Sequence, residues 1–359
     1  MIIRKNVLLA SYATVSPFAG KKSSVIEAAK YVKIDVADGR ISLSATNTEK
    51  WIEMVSDCVV GDSGKASFLA PKQFFDILKL CTSDDVEVVF NKDNSRLNIV
   101  DGVSSYTVAV KEVDEYPHCQ DVSYGDAIIV DADELSRAIK VASVARSSMT
   151  SRPILSGVNI QSSGDGVIVV QAIDGFVLSR YDIQTDVSND FSVTIISPEA
   201  LATIVSGDVE MHISDRFVSV KSDKITVVVS TIYGNFPDMS SFKRSGYKYK
   251  FTVRLSDISR AINIADMTGS EVPIAKFKGE GEVLHVVGRG DIGETDTVIK
   301  CTGNVDGVEF ALNTSYLRRL LSTPTSHEVA FFVDDEKSPI KIIDGKNNFK
   351  IIMPMHLER

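Results

Sequence analysis

Two eight-residue stretches with one shared pattern constrain the fold more than any other feature of this chain. Residues 135–142 read Leu-Ser-Arg-Ala-Ile-Lys-Val-Ala, and residues 258–265 read Ile-Ser-Arg-Ala-Ile-Asn-Ile-Ala. They begin 123 residues apart and match at five of eight positions. Apolar residues at i, i+3, i+4 and i+7 make each an amphipathic helix with one buried face. Each follows a short apolar run (Ala127–Val130; Phe251–Val253) and a polar turn expected to carry Asp133 or Asp257.

Two further landmarks repeat at a similar period. Phe68-Leu69-Ala70-Pro71, Ile195-Ile196-Ser197-Pro198 and Phe310-Ala311-Leu312-Asn313 each read as a strand end followed by a capping residue or an N1-like proline, then a helix start. Pro71, Pro198 and Asn313 are 127 and 115 residues apart. Tyr116-Pro117, Phe236-Pro237 and Met353-Pro354 are spaced by 120 and 117, and a proline there is expected to mark where a strand leaves its sheet. The chain is therefore an internal triplication with a period near 120 residues. The first repeat supplies its own opening helix at Lys5–Tyr12.

Between the helices run short β-type segments: Tyr31–Val36, Arg40–Ala45, Asp85–Phe90 and Leu97–Val100, punctuated by Asp38-Gly39 and Asp101-Gly102. The texture returns at Gly166–Ala172, Val209–Ser214, Phe217–Val220 and Ile225–Ser230, then at Glu282–Val287, Asp296–Thr302 and His327–Val333. Each repeat reads as an α+β unit of two helices and about eight strands. The expected domains are 1–125, 126–247 and 248–359, with junctions in His118–Asp126 and Met239–Lys250.

With 359 residues, two or three domains are expected. No apolar run approaches the roughly 20 residues of a membrane helix. Cys58, Cys81, Cys119 and Cys301 form no CxxC pair and read as reduced thiols of a cytoplasmic protein. Charge is distributed unevenly. The net charge is −9, yet the six helical segments 4–16, 71–81, 133–146, 198–205, 256–267 and 314–321 hold ten basic and six acidic residues. A basic helical layer in an acidic protein suits sequence-independent contact with phosphates, although exposed helix faces commonly carry Lys and Arg.

Catalytic patterns are not convincing. Gly288-Arg289-Gly290-Asp291-Ile292-Gly293 has the GxGxxG spacing, but the following Glu294–Ile299 reads as a strand, not the helix a pyrophosphate site needs. It is read as a hairpin loop. His118, His212, His285, His327 and His356 have no metal-ligand spacing, and no metal or cofactor is expected. Asp84-Asp85 and Asp334-Asp335 read as solvated turns. Two apolar stretches look more like a binding surface. Ile351–Leu357 is too apolar for a free tail, and reads as the last core strand or as one wall of a groove. Ala172–Leu178 reads as a strand–turn–strand with apolar residues at its turn.

The chain resembles the bacterial sliding clamps, the beta subunits of DNA polymerase III. The resemblance rests on Arg152–Val158, Ala172-Ile173-Asp174-Gly175, Phe236-Pro237-Asp238, Phe310–Leu317 and Met353–Leu357, in this order on a threefold repeat. It implies three repeated DNA-clamp domains, each with two helices backed by antiparallel sheets, in a head-to-tail homodimeric ring around double-stranded DNA. The ring would catalyse no reaction. It would tether the polymerase III alpha subunit, the clamp loader, and other polymerases and repair proteins through short peptide motifs.

Carried over by resemblance, the partner groove comprises Leu155, Ile173, Gly175, Phe176, Val177, Leu178, Pro237, Phe242, Ile351, Met353, Pro354 and Met355. Lys22 and Arg152 match DNA-contacting loop positions, and the helices add Lys72, Lys79, Arg137, Lys140, Arg146, Arg260, Arg318 and Arg319. Tyr106 and Val108 would face the region of Met267 across the dimer seam. Departures from the family pattern are Phe176 and Val177 where a basic or imidazole pair is common, Ser240 and Ser241 where arginines are common, His356 for a frequent arginine, and the extra Glu358-Arg359. The Lys21-Lys22 loop matches loosely. The alternatives are a triplicated β-rich protein-binding scaffold that never encircles DNA, or an enzyme built on the Gly288 loop.

Overall fold

The computed structural model describes the chain except residues 61–63, 120–125, 150, 205, 240–241, 243–245, 270 and 356–359. The first repeat contains β1 (Ile2–Arg4), α1 (Lys5–Val15), β2 (Val32–Ala37), β3 (Arg40–Thr46), β4 (Lys50–Ser56), β5 (Val59–Val60), β6 (Ala66–Ala70), α2 (Lys72–Leu80), β7 (Asp85–Asn91), β8 (Arg96–Asp101) and β9 (Ser104–Ala109). The second contains β10 (Ile128–Asp131), α3 (Ala132–Ser143), β11 (Val158–Ser163), β12 (Val167–Ile173), β13 (Val177–Gln184), β14 (Asp190–Ile195), α4 (Pro198–Leu201), β15 (Asp208–Ile213), β16 (Phe217–Lys221) and β17 (Ile225–Ser230). The third contains β18 (Tyr249–Arg254), α5 (Leu255–Asp266), β19 (Ile274–Glu280), β20 (Val283–Gly290), β21 (Gly293–Lys300), β22 (Thr302–Asn304), β23 (Glu309–Asn313), α6 (Thr314–Leu320), β24 (Glu328–Val333), β25 (Ile340–Ile343) and β26 (Asn348–Ile352).

The repeat is visible in individual hydrogen bonds. The first amide of each opening helix, an orphan donor by helix geometry, finds a carbonyl just before a neighbouring strand. Lys5 donates to Asp84, Ala132 to Gly207 and Leu255 to His327, each at 2.9 Å. The opening strand thus runs straight into its helix. Asp133 and Asp257, expected in a turn, lie instead in the first turn of α3 and α5, where the helix dipole favours a carboxylate. The second helices vary more. Asn313 caps α6 by accepting from the Ser315 and Tyr316 amides, whereas Pro71 precedes α2 without a side-chain cap. The helix expected at 198–205 is one turn, Pro198–Leu201.

The chain groups into two compact units that cut across the three repeats. One joins Met1–Asp133 to Glu199–Thr231, and the other joins Glu134–Pro198 to Ile232–Arg359. Strand pairing explains the difference, because the middle repeat gives its strands to both neighbours. In the first unit an eight-stranded sheet runs β10-β15-β16-β17-β4-β3-β2-β6, beside a five-stranded sheet β5-β1-β7-β8-β9. In the second unit a nine-stranded sheet runs β14-β11-β12-β13-β26-β25-β24-β18-β22, beside a four-stranded sheet β21-β20-β19-β23. The joints are β17 against β4 (Val229↔Lys50 to Ile225↔Met54) and β26 against β13 (Ile352↔Val177 to Asn348↔Tyr181), both antiparallel.

These joints also correct the proline landmark. The Ser230 amide donates to the Glu49 carbonyl at 2.8 Å, just as the Met353 amide donates to the Phe176 carbonyl at 2.9 Å. Ser230, not Phe236, is therefore the counterpart of Met353. Tyr116-Pro117 likewise lies well beyond Ala109, where β9 ends. Only Met353-Pro354 directly follows its strand, because the loops after the closing strands differ in length.

Each unit has its own apolar core. In the first, Tyr12 of α1 stacks on Phe75 of α2 at 3.7 Å, with Phe68 and Phe74 fully buried nearby in sequence. In the second, Phe251 stacks on Phe331 and Phe277 on Phe310. Asp101 closes β8 by accepting from the Thr82 and Ser83 amides. The Ser83 hydroxyl and these amides hold its carboxyl well below the usual carboxylate range.

Gly288 shows why the GxGxxG stretch is structural. A Cβ there would sit 2.5 Å from the Ala265 carbonyl oxygen, so the glycine lets α5 lie directly on β20. Strands β20 and β21 pair as far as Gly290↔Gly293, leaving Asp291 and Ile292 as a two-residue hairpin turn.

Candidate partner-peptide groove and nucleic-acid face

The candidate groove lies within the second unit and is built around the turn between β12 and β13. Asp174 organises it. Its Oδ1 accepts from the Phe176 and Val177 amides, both at 2.9 Å, and its own amide donates to the Val177 carbonyl at 3.2 Å. Gly175 has φ +98°, a conformation that a side chain rarely adopts. The turn therefore holds Phe176 outward, 49% exposed, while Val177 and Leu178 return into the sheet.

Strand β26 brings the C-terminal residues to this turn. Leu178 pairs with both Ile173 and Ile351, and Met353 is bonded to Phe176. Met355 donates to the Ala311 carbonyl at 2.8 Å, which ties the last described residues to β23. Met353, Pro354 and Met355 are half-buried rather than frayed. The structure thus gathers Ile173, Gly175, Phe176, Val177, Leu178, Ile351 and Met353 through one bonded framework, with Pro354 and Met355 continuing from it. Leu155 is buried in the 3-10 turn Pro153–Ser156, Pro237 is exposed, and Phe242 is half-buried with its amide on the Met239 carbonyl. No hydrogen bond links these last three to the framework among the described residues. Ser240, Ser241, His356, Glu358 and Arg359 lie outside the described residues.

Helix α6 brings against this turn two residues absent from the groove set expected from sequence. Tyr316 stacks on Phe176, with ring centroids 5.7 Å apart and planes 17° from parallel. The Arg319 guanidinium lies 5.2 Å from the Tyr316 ring centroid and forms an ion pair with Asp174 Oδ2. Arg319, grouped with the DNA-facing residues from its helix position, is thus committed to the groove turn. The conspicuous Phe310–Leu317 stretch pointed at this helix. The pairing across 145 residues carries no local pattern that could reveal it.

The other basic residues divide between exposed and engaged. In the first unit Lys22 is exposed in a turn, Lys72 pairs with Asp76 at 2.5 Å, and the Lys79 ammonium lies 5.8 Å from the Tyr12 ring centroid. In the second, Arg137, Lys140, Arg152 and Arg260 are exposed, and Arg146 is half-buried. Arg318 bonds Asn263 at 3.0 Å and pairs with Asp266, bridging α6 to α5. At the expected dimer seam, Tyr106 is 40% exposed and Val108 buried on β9, an outer strand of its sheet. Met267 is 71% exposed at the end of α5, next to Thr268, whose carbonyl accepts from Ile292, itself an exposed apolar residue. No cluster of metal-ligating side chains occurs among the described residues.

Repeated α+β units joined edge to edge, with helices capping long antiparallel sheets, define the DNA-clamp class of fold. The Streptococcus pyogenes DNA polymerase beta subunit superposes with a TM-score of 0.92 at 20% identity, and the Bacillus subtilis DNA polymerase sliding clamp with 0.90 at 20%, each covering 99% of both chains. In sequence, the beta sliding clamp of Streptococcus pneumoniae is 24% identical over 95% of this chain and 94% of its own length, and that of Chlamydia pneumoniae 22% over 91% of each. Residues 1–120 match the N-terminal domain, and residues 129–238 the central domain, of the DNA polymerase III beta subunit. The chain belongs to the DNA polymerase III beta subunit family, the beta sliding clamps.

Proposed function

We propose that this protein is a replicative sliding clamp, a head-to-tail homodimer that encircles duplex DNA and tethers partner proteins through the groove around Asp174. The observation that carries the ring is an unfinished joint. Strands β4, β13 and β21 are the corresponding hairpin strands of the three repeats, and β17, β26 and β9 are closing strands. Within the chain β4 receives β17 and β13 receives β26, whereas β21 and β9 each end a sheet. An unpaired edge invites a partner strand, and here the complementary edges sit on opposite ends of one sequence. Two copies joined β9 to β21 would close both joints, with Tyr106 and Val108 of one facing the Met267 region of the other. Such a heterologous contact yields a ring when its rotation closes.

Lys22, Lys72, Lys79, Arg137, Lys140, Arg146, Arg152, Arg260 and Arg318 would then supply phosphate contacts, which position a duplex without reading its sequence. The groove would take short apolar peptide motifs from the polymerase alpha subunit, the clamp loader and repair proteins, in the cytoplasm. The ring itself would catalyse nothing. The three repeats would act as domains 1–125, 126–247 and 248–359.

The test is retention on circular against linearised plasmid, after loading by the cognate clamp loader with ATP. Retention on the circle and loss from the linear form is expected. Equal retention on both would favour a scaffold that binds DNA only at its surface.

A further inference from the structure

The groove continues sideways into a row of side chains that no groove contact accounts for. Directly opposed residues on neighbouring antiparallel strands share a face of the sheet. In the nine-stranded sheet one such row runs Ile173↔Leu178, Leu178↔Ile351, Ile351↔Lys341, Lys341↔Phe332, Phe332↔Lys250 and Lys250↔Asn304. It begins on three groove residues. Past half-buried Ile173, exposure rises from buried Leu178 and Ile351, through half-buried Lys341 and Phe332, to exposed Lys250.

The outer part of the row alternates cation and ring. The Lys250 ammonium lies 5.3 Å from the Phe332 centroid, and the Lys341 ammonium 4.7 Å from that of Phe349. Neither lysine has a carboxylate partner among the described residues. Arg180, beside Phe349, is satisfied by Asp182 at 2.6 Å. Burial and the neighbouring Arg180 charge push the Lys341 ammonium pKa down, the condition of a cation that lacks a counter-charge. The chain as a whole carries a net charge of −9, so this row is locally opposite in sign to the protein.

We propose that this row is an extension of the partner groove, and that it receives an acidic segment flanking the partner's apolar motif. The inference rests on the groove reading above. Strands lie roughly 4.8 Å apart, so Ile351 to Lys250 spans about 14 Å, or about four residues of extended peptide. A carboxylate near Lys341 and another near Lys250 would complete two ion pairs already backed by aromatic rings. The row would therefore discriminate among partners by what surrounds their motif.

The experiment uses the full-length protein and fluorescein-labelled peptides with a Leu-Leu-Phe core. Four glutamates or four glutamines flank the core, placed in turn at either end. Anisotropy titrations at low and moderate salt compare the wild type with the Lys250→Gln/Lys341→Gln variant and with Phe176→Glu, each checked for folding by circular dichroism. On the wild type, the glutamate flank at one end is expected to tighten binding about three- to tenfold at low salt. The double variant should lose that advantage while binding the glutamine peptide as before. Equal affinity for both flanks on the wild type, with binding abolished by Phe176→Glu, would overturn the extension and leave the groove standing. Failure of every peptide to bind, or binding indifferent to Phe176→Glu, would overturn the groove and the extension together.

Discussion

The Met353 amide donates to the Phe176 carbonyl at 2.9 Å, and this bond ties Met353 to the turn organised by Asp174. Its counterpart in the first unit, from Ser230 to Glu49, sits on a turn of the same design. Asn47 Oδ1 accepts from the Glu49 and Lys50 amides, and Thr48 takes the positive φ that Gly175 takes in the groove. The backbone is shared, and the side chains differ. Glu49 stands where Phe176 stands, so only the second unit offers an apolar surface at this place.

Ending the chain after Ile352 removes the residues that lie beyond β26 but leaves its ladder to β13 intact. The truncated protein is expected to stay folded, with a melting temperature within a few degrees of the full chain. It should lose partner-peptide binding and polymerase stimulation. Undiminished stimulation on primed circular DNA would refute the placement of the groove.

Arg319→Ala frees Asp174 Oδ2 and takes a cation from behind Tyr316. Asp174 still caps its turn, so the fold should persist, with the Phe176 ring less firmly placed. Peptide affinity is expected to fall about tenfold, the scale of one charge-assisted hydrogen bond. Arg319→Lys should restore little, because an ammonium lacks the planar fork that serves carboxylate and ring together. Calorimetric titration of peptide into each variant checks this.

Met267→Glu introduces a carboxylate on an exposed apolar surface beside Ile292. In an assembled seam the charge would be buried without a partner, at a cost of at least about 2 kcal/mol, or roughly thirtyfold in dimer affinity. Sedimentation velocity across a dilution series should show the dimer dissociating at higher concentration than the wild type. The isolated chain should melt as before.

Lys350 on β26 pairs with Asp344 at 2.7 Å, and neither side chain reaches solvent. Asp344→Asn leaves the ammonium buried without a counter-charge and is expected to cost about 3–5 kcal/mol in urea unfolding at neutral pH. Burial holds the folded-state pKa of Lys350 below its ordinary value, against the pull of Asp344. Between that lowered pKa and the unfolded value near 10.4, the unfolded chain binds the extra proton, so stability from this group rises with pH. Losing Asp344 lowers the folded pKa further, and the deficit of the variant should therefore shrink as the pH is raised from 7 toward about 10. A double change to Asp344→Asn and Lys350→Met should be milder than the first alone.

The periodic parts of this architecture were legible in the sequence. Helices α3 and α5 appear within a residue or two of their expected starts, because Leu135, Ala138, Ile139 and Ala142 and their repeats mark one buried face. The hairpin at Asp291-Ile292 was legible from the strand that follows the glycines. What escaped was whatever depends on pairing between distant segments. The β17–β4 and β26–β13 joints regroup three repeats into two compact units, and no local pattern in Ile225–Ser230 says that its neighbour is Lys50–Ser56. The prolines misled for the same reason, since Phe236 and Tyr116 lie in loops whose lengths are set by the route to the next repeat. Arg319 sits on a helix whose local pattern says nothing of Asp174, the carboxylate in another repeat with which it pairs. The polar row Lys341-Phe332-Lys250 is invisible in sequence, because its members come from three strands.

The two completed joints have a mechanical consequence. Each is backed by the polypeptide itself, since the chain runs on from one repeat to the next, and separating β4 from β17 or β13 from β26 would strand a long tethered segment. A joint made between β9 of one copy and β21 of another, as proposed above, would have no such backing. Anything that pries the assembly apart would meet its least resistance there. A ring built from this chain would have two doors, identical in construction, and no others.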